Sequence, residues 1–154
     1  MTYSYSEFLA NVAGRFPSGF CWGCVVQPDE RERCGRESVA VDAHHVLPKQ
    51  LLKREFPGGV VLFDGRAEGV PVRFNPDVEL TDTVTFERRS LDALLMDGRN
   101  GVIVRRFHHD AIEGRAVVPS LRAVPLQARE FAAELGLEHH LERIYGQGRR
   151  RRGQ

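Results

Sequence analysis

Long apolar runs are missing from this sequence: no stretch approaches the roughly 18 consecutive apolar residues that a membrane-spanning helix needs. The opening MTYSYSEFLANVAGRF lacks both a basic start and a continuous apolar centre, so no secretory signal is expected. A cytosol-like compartment follows, with no membrane partner. Cysteine is scarce. Cys21, Cys24 and Cys34 cannot all pair within one chain, and a reducing compartment disfavours disulfides, so their clustering asks for another explanation. No internal repeat stands out, and net charge is almost absent at +1. What remains, 154 residues with 42% hydrophobic and 28% charged side chains, is the make-up of one globular domain spanning 1–154.

The small net charge conceals a division. Residues 1–97 carry 11 basic and 15 acidic side chains, net −4, whereas residues 98–154 carry 11 and 6, net +5. Net basic charge collects in the half that begins at Arg99 and ends in Arg149, Arg150, Arg151 and Arg152. That distribution favours a polyanion at the C-terminal half, because each arginine placed on a phosphate releases condensed counterions. The simpler reading of residues 146–154 is a flexible, basic, solubilising tail.

Local patterns predict a chain of short elements. Ser6 caps a helix from Glu7 to about Ala13, and Gln27 to Arg33 reads as a protruding polar loop. Leu51–Phe56 reads as a helix stopped by Pro57-Gly58-Gly59. Val60–Phe63, Val70–Phe74 and Val84–Phe86 are rich in β-branched and aromatic residues, as strands are, and Asp64-Gly65 is a turn signal. Ser90 caps a helix over Leu91–Met96 that Gly98 ends; Asn100-Gly101 turns into the strand Val102–Val104; and Phe107–Glu113 forms a helix closed by Gly114. One or two helices span about Leu126 to Tyr145, with a break near Gly136.

Four of the six histidines fall in two fragments, Asp42-Ala43-His44-His45-Val46-Leu47-Pro48 and His108-His109-Asp110-Ala111-Ile112-Glu113. Asn100 lies between them. On a helix starting near Phe107, His109 and Glu113 share one face because they are four residues apart. A histidine from the first fragment completes an N,N,O metal site with open positions. Of two adjacent histidines, one can bind the ion while the other takes a proton from water.

These three elements together resemble the HNH endonuclease family, and the resemblance covers roughly residues 18–50 and 90–115. It implies an α+β chain with a ββα-metal (His-Me finger) core, flanking helices and an inserted β-rich segment over 51–95. It assigns His44, His109 and Glu113 to a catalytic divalent ion (Mg, Mn, Zn or Ni), His45 to general-base catalysis, and Asn100 to tightening the inter-strand loop and orienting His45. Family members often carry a histidine where Glu113 stands. Many also hold structural zinc on two CxxC pairs. Cys21-Trp22-Gly23-Cys24 supplies the first pair, while Arg105 and His108 occupy the positions of the second. Cys34 and His108 complete a tetrahedral set with Cys21 and Cys24; otherwise the cysteines are buried packing residues.

The resemblance implies a metal-dependent DNA endonuclease or nickase acting on double-stranded DNA in the bacterial or phage-infected cytoplasm, alone, as a homodimer or with a phage-encoded partner. Arg99, Arg105, Arg106 and Arg149 to Arg152 are its candidate phosphate contacts. The competing expectation is a non-catalytic, zinc-stabilised module that binds nucleic acid or protein.

Overall fold

In a computed structural model that describes residues 2–37, 40–63, 66–68 and 86–146, Ser4 rather than Ser6 caps the first helix, α1 (Tyr5–Ala13). The extended backbone of Ser4 lets its hydroxyl accept the Glu7 amide at 3.3 Å, so the helix begins two residues earlier than its sequence pattern predicts. Phe8 and Val12, four residues apart, are fully buried, a gain of roughly 1.5–3 kcal/mol each. The polar run expected as a loop is also helical. After α2 (Trp22–Val26), residues Pro28–Glu30 make a 3-10 turn that runs into α3 (Arg31–Glu37). Proline at the first position and the carboxylates of Asp29, Glu30 and Glu32 suit helix starts, and the fully buried Cys34 anchors α3 to the core.

Strand β1 (Val41–His45) leads to α4 (Lys49–Glu55), which stops before Pro57-Gly58-Gly59. Then come β2 (Val60–Phe63), β3 (Arg66–Glu68) and β4 (Phe86–Arg89), an antiparallel sheet in the order β3-β2-β4. Strand β3 has no counterpart in the sequence-based expectation, while Asp64-Gly65, Val70–Phe74 and Val84-Thr85 lie outside the described residues. Helix α5 (Leu91–Leu95) is capped as expected, with the Ser90 hydroxyl accepting the Ala93 amide at 3.1 Å. It ends at Met96, not Gly98. Residues Gly98–Asn100 form a separate 3-10 turn that feeds β5 (Gly101–Arg105) and, directly after it, α6 (Arg106–Glu113). Helices α7 (Leu126–Glu134) and α8 (Glu138–Tyr145) are divided at Gly136, whose φ of 72° favours glycine.

The chain is thus α+β, with two small antiparallel sheets and flanking helices. In the first sheet β1 and β5 are antiparallel, with His44 opposite Val102 and His45 opposite Gly101, and α6 follows, an order broadly consistent with a ββα-metal-type arrangement. Ala43 and Ile103 join Phe8, Val12 and Met96 in a small core beneath α1. Val102 and Val104 join the larger core around Trp22 and Phe131. Successive strand residues face opposite sides, so the sheet delivers His44 and His45 to different neighbours.

Asn100 locks this unit. It is fully buried, its carbamoyl oxygen accepting the Leu47 amide at 2.8 Å and its Nδ2 donating to the Leu47 carbonyl at 3.0 Å, while its own carbonyl accepts the Val46 amide. Asn100→Ala leaves both polar groups of Leu47 buried without partners, an expected loss of about 3 kcal/mol. Thermal denaturation should register a fall on the order of 10 °C. An unchanged melting temperature would show that water replaces the amide at no cost.

Candidate metal centres

Two groups of ligating side chains converge among the described residues, one open and one closed. In each, the ligand atoms all lie within 4.8 Å of one another. His44, His109 and Glu113 form the open group. His44 Nδ1 lies 4.0 Å from Glu113 Oε1, and His109 Nε2 lies 3.1 Å from the same oxygen. Four-residue spacing on α6 pairs His109 with Glu113, and β1 brings His44 across. Glu113 is 64% exposed, so the group faces solvent and leaves room for a substrate.

The donor set fits a divalent ion. His109 Nε2 is buried without a hydrogen-bond partner, although it points towards Glu113. Its other nitrogen is used: Nδ1 donates to Asp42 Oδ2 at 3.0 Å, which fixes the ring and leaves the Nε2 lone pair in the group. Burial alone would raise the Asp42 carboxyl, but hydrogen bonds from His109 and Arg106 outweigh it and hold the group below its ordinary range. Desolvation, reinforced by His109 and His45, takes His44 down to about 4. A neutral imidazole is the form that binds metal.

His45 stands in the same cavity, about 810 Å³ in volume and lined also by the three ligand residues, but its ring is held differently. It stacks on Phe8 with ring centres 3.8 Å apart and planes 4° from parallel. Its Nε2 donates to the Leu95 carbonyl at 2.9 Å, leaving the lone pair on Nδ1. Desolvation is the main cause that brings this histidine down to about 4; the Leu95 bond opposes it and Lys49 adds to it. The carbonyl that orients the ring is therefore that of Leu95, while Asn100 acts on the backbone two residues beyond His45.

Cys21, Cys24, Cys34 and His108 form the closed group, all buried and all three cysteines unpaired in disulfides. His108 Nδ1 lies 3.1 Å from Cys34 Sγ, 3.7 Å from Cys21 Sγ and 3.9 Å from Cys24 Sγ; Cys21 and Cys34 sulfurs are 3.9 Å apart. A tetrahedron with zinc–sulfur bonds of about 2.3 Å has its corners roughly 3.5–3.8 Å apart, so little adjustment is needed. Burial, with Cys21 next, pushes the Cys24 thiol up to about 12, and burial raises Cys34. Without a cation, thiolates are disfavoured here; a bound zinc ion reverses that preference. Gly23 makes the cluster geometrically possible. A Cβ there would come within 2.1 Å of the Cβ and Cγ atoms of His108, so only glycine admits the ring between the two cysteines.

Trp22 adjoins both centres, following Cys21 in the chain and lying 6.1 Å from the His44 ring. It donates to the Ala123 carbonyl at 2.7 Å and packs edge-on to Tyr145.

The arginines expected on phosphate are dispersed. Arg99 is engaged by Asp97 at 2.9 Å and Glu134 at 2.7 Å, with its guanidinium over Phe131. Arg105 donates its amide to Cys21 Sγ and reaches the Gly19 carbonyl, beside the closed group. Arg106 is exposed near Asp42, and Arg149 to Arg152 lie outside the described residues. Conversely, the cavity contains Tyr3, Lys49 and Arg115, which sequence reasoning did not single out. Neither cation among them carried a spacing signal, since Lys49 opens α4 after the end of β1 and Arg115 follows the end of α6.

Comparison of the chain with protein-family models, with curated proteins and with solved structures finds no match.

Proposed function

We propose that the chain is an HNH-like, His-Me finger endonuclease or nickase that hydrolyses phosphodiester bonds of DNA. The observation that carries this reading is the solvent-facing His44, His109 and Glu113 group sharing one cavity with a separately anchored, neutral His45. A bound divalent ion supplies charge neutralisation at the scissile phosphate and at the departing oxygen. Asp42 holds the His109 ring, and Leu95 and Phe8 hold the His45 ring. His45 Nδ1 accepts a proton from the attacking water. The water oxygen bonds to phosphorus, the bond from phosphorus to the departing sugar oxygen breaks, and the leaving oxygen is protonated by solvent. The Cys21, Cys24, Cys34 and His108 group serves as the structural zinc site that anchors α6 from its first turn.

Incubation of purified protein and supercoiled plasmid with Mg²⁺, Mn²⁺, Zn²⁺ or Ni²⁺ tests the reading. Nicked or linear DNA that disappears with EDTA is the expected product. DNA or protein binding without cleavage under any of these ions would instead favour the non-catalytic zinc module.

Ile144 and Tyr145 line the cavity, and the chain continues from there to Arg149–Arg152. Deleting those four arginines is expected to weaken DNA binding across sequences without moving the cleavage position. The salt slope of binding should shrink by up to about 0.9 for each phosphate that the shortened chain leaves unneutralised. A slope that survives the deletion would return the run to the role of a solubilising tail.

A further inference from the structure

Helix α6 ends against a local rule. Gly114 follows its last residue, yet Gly114 has φ −74°, in the right-handed region, and Arg115 takes the left-handed conformation with φ 59°. Glycine or asparagine is favoured at such a position because a Cβ is strained there. Arg115 is the one non-glycine residue with positive φ among the described residues. The Arg115 amide bonds to the Ile112 carbonyl and the Val117 amide to the Ala111 carbonyl, so the turn is held on both sides. Strain of this kind tends to persist where a side chain is needed in one place.

That place is the cavity of the open metal group. Arg115 lines it two residues beyond Glu113, and Lys49 lines it on the side of His45, with its ammonium 4.8 Å above the Tyr3 ring. Neither cation has a carboxylate partner among the described residues. Arg89, Arg99 and Arg106 do, whereas exposed cations such as Arg122 do not, so it is the place in the cavity that singles out these two. Two unneutralised cations beside a metal group otherwise call for an anion, and the cavity is far larger than one phosphate. Its remaining wall is apolar, formed by Val117, Val118, Pro119 and Ile144, with Val118 half exposed. Two cations and an apolar wall in one cavity suit a chain of phosphates joined by sugars.

We propose that Lys49 and Arg115 grip the backbone phosphates on either side of the scissile one, with the sugars of that strand against the Val117–Pro119 wall. The inference rests on the nuclease reading for its substrate. It makes the two cations substrate-binding residues that set the register of the strand over His44, His109 and Glu113.

Binding and cleavage together provide the test. Fluorescence anisotropy of a labelled DNA duplex, titrated in EDTA over a series of salt concentrations, gives the salt slope without cleavage. Lys49→Gln and Arg115→Asn should each reduce it by about 0.9, and the double variant by about 1.8. Arg122→Gln, an exposed arginine outside the cavity, should leave it unchanged and so controls for net charge. In cleavage, the two variants should raise KM about three- to tenfold with a smaller change in kcat. Metal affinity should match the parent. Arg115→Asn should also melt no lower than the parent, since asparagine tolerates the left-handed backbone; a merely structural arginine would not combine that with weaker binding. A double variant that keeps the parent's salt slope overturns the grip. A parent that binds with the full slope, loses it in the double variant and yet cuts nothing supports the grip and sinks the nuclease reading. A parent that shows no salt-dependent binding overturns the grip, and one that also cuts nothing with metal overturns both.

Discussion

His45→Ala is expected to lower cleavage by two to four orders of magnitude, about the usual contribution of a general base, while the protein keeps its metal. The expectation comes from how the ring is held. His44 reaches the ligand group from one side of β1, whereas His45 faces α1, stacks on Phe8 and spends Nε2 on the Leu95 carbonyl. Burial keeps it neutral through the pH range in which a metal-dependent nuclease would work, so Nδ1 carries a lone pair ready for a proton. Calorimetric titration with Ni²⁺ or Zn²⁺ separates base from ligand. His45→Ala should bind as the parent does, and His44→Ala or His109→Ala should lose affinity and activity together. Equal loss of metal in His45→Ala would mean that the two histidines do not divide their tasks.

Much of this arrangement was readable from spacing. Four-residue periodicity placed His109 with Glu113, and the adjacency of His108 to His109 sent them to different centres, because neighbouring helical side chains diverge by about 100°. For His44 and His45 only a division of labour was legible; the strand whose alternation separates them is a finding of the structure. Local capping chemistry located α5 and α6 well, since Ser90 and Gly114 sit at their ends. It misplaced the start of α1, where Ser4 and Ser6 both carry a suitable hydroxyl and only packing of Phe8 and Val12 decides between them. The helical character of Arg31–Glu37 was hidden because six of its seven residues are polar or glycine; the burial of Cys34 supplies the fold's reason. Long-range partners were the least legible. Nothing near His45 in sequence announces the Leu95 carbonyl, fifty residues away, and nothing near Arg99 announces its capture by Glu134.

The largest loss of stability is expected from the closed cluster. Protein purified without added zinc should contain about one zinc per chain, retained after mild EDTA has emptied the harder His44, His109 and Glu113 site. The donor chemistry makes the difference: three thiolates and an imidazole, all buried, hold zinc far more tightly than two imidazoles and an exposed carboxylate. Cys21 caps α2, Cys34 sits on α3 and His108 on α6, so one ion ties together three short helices that also meet in the main core. Zinc binding is then largely folding energy, on the order of 10 kcal/mol for compact structural sites. Cys21→Ser/Cys24→Ser should lose the ion and melt much lower, over a broadened transition. Loss of the tie should also reach catalysis, because His109 follows His108 on the same turn and α6 carries Glu113. Zinc affinity should weaken as pH falls, since the thiols must shed protons to bind and burial has made those protons harder to remove. Metal content by elemental analysis, read beside the melting curve, decides the matter. A protein that is free of zinc, sharply melting and as stable as before would leave Cys21, Cys24 and Cys34 as packing residues, with the catalytic assignment standing apart from them.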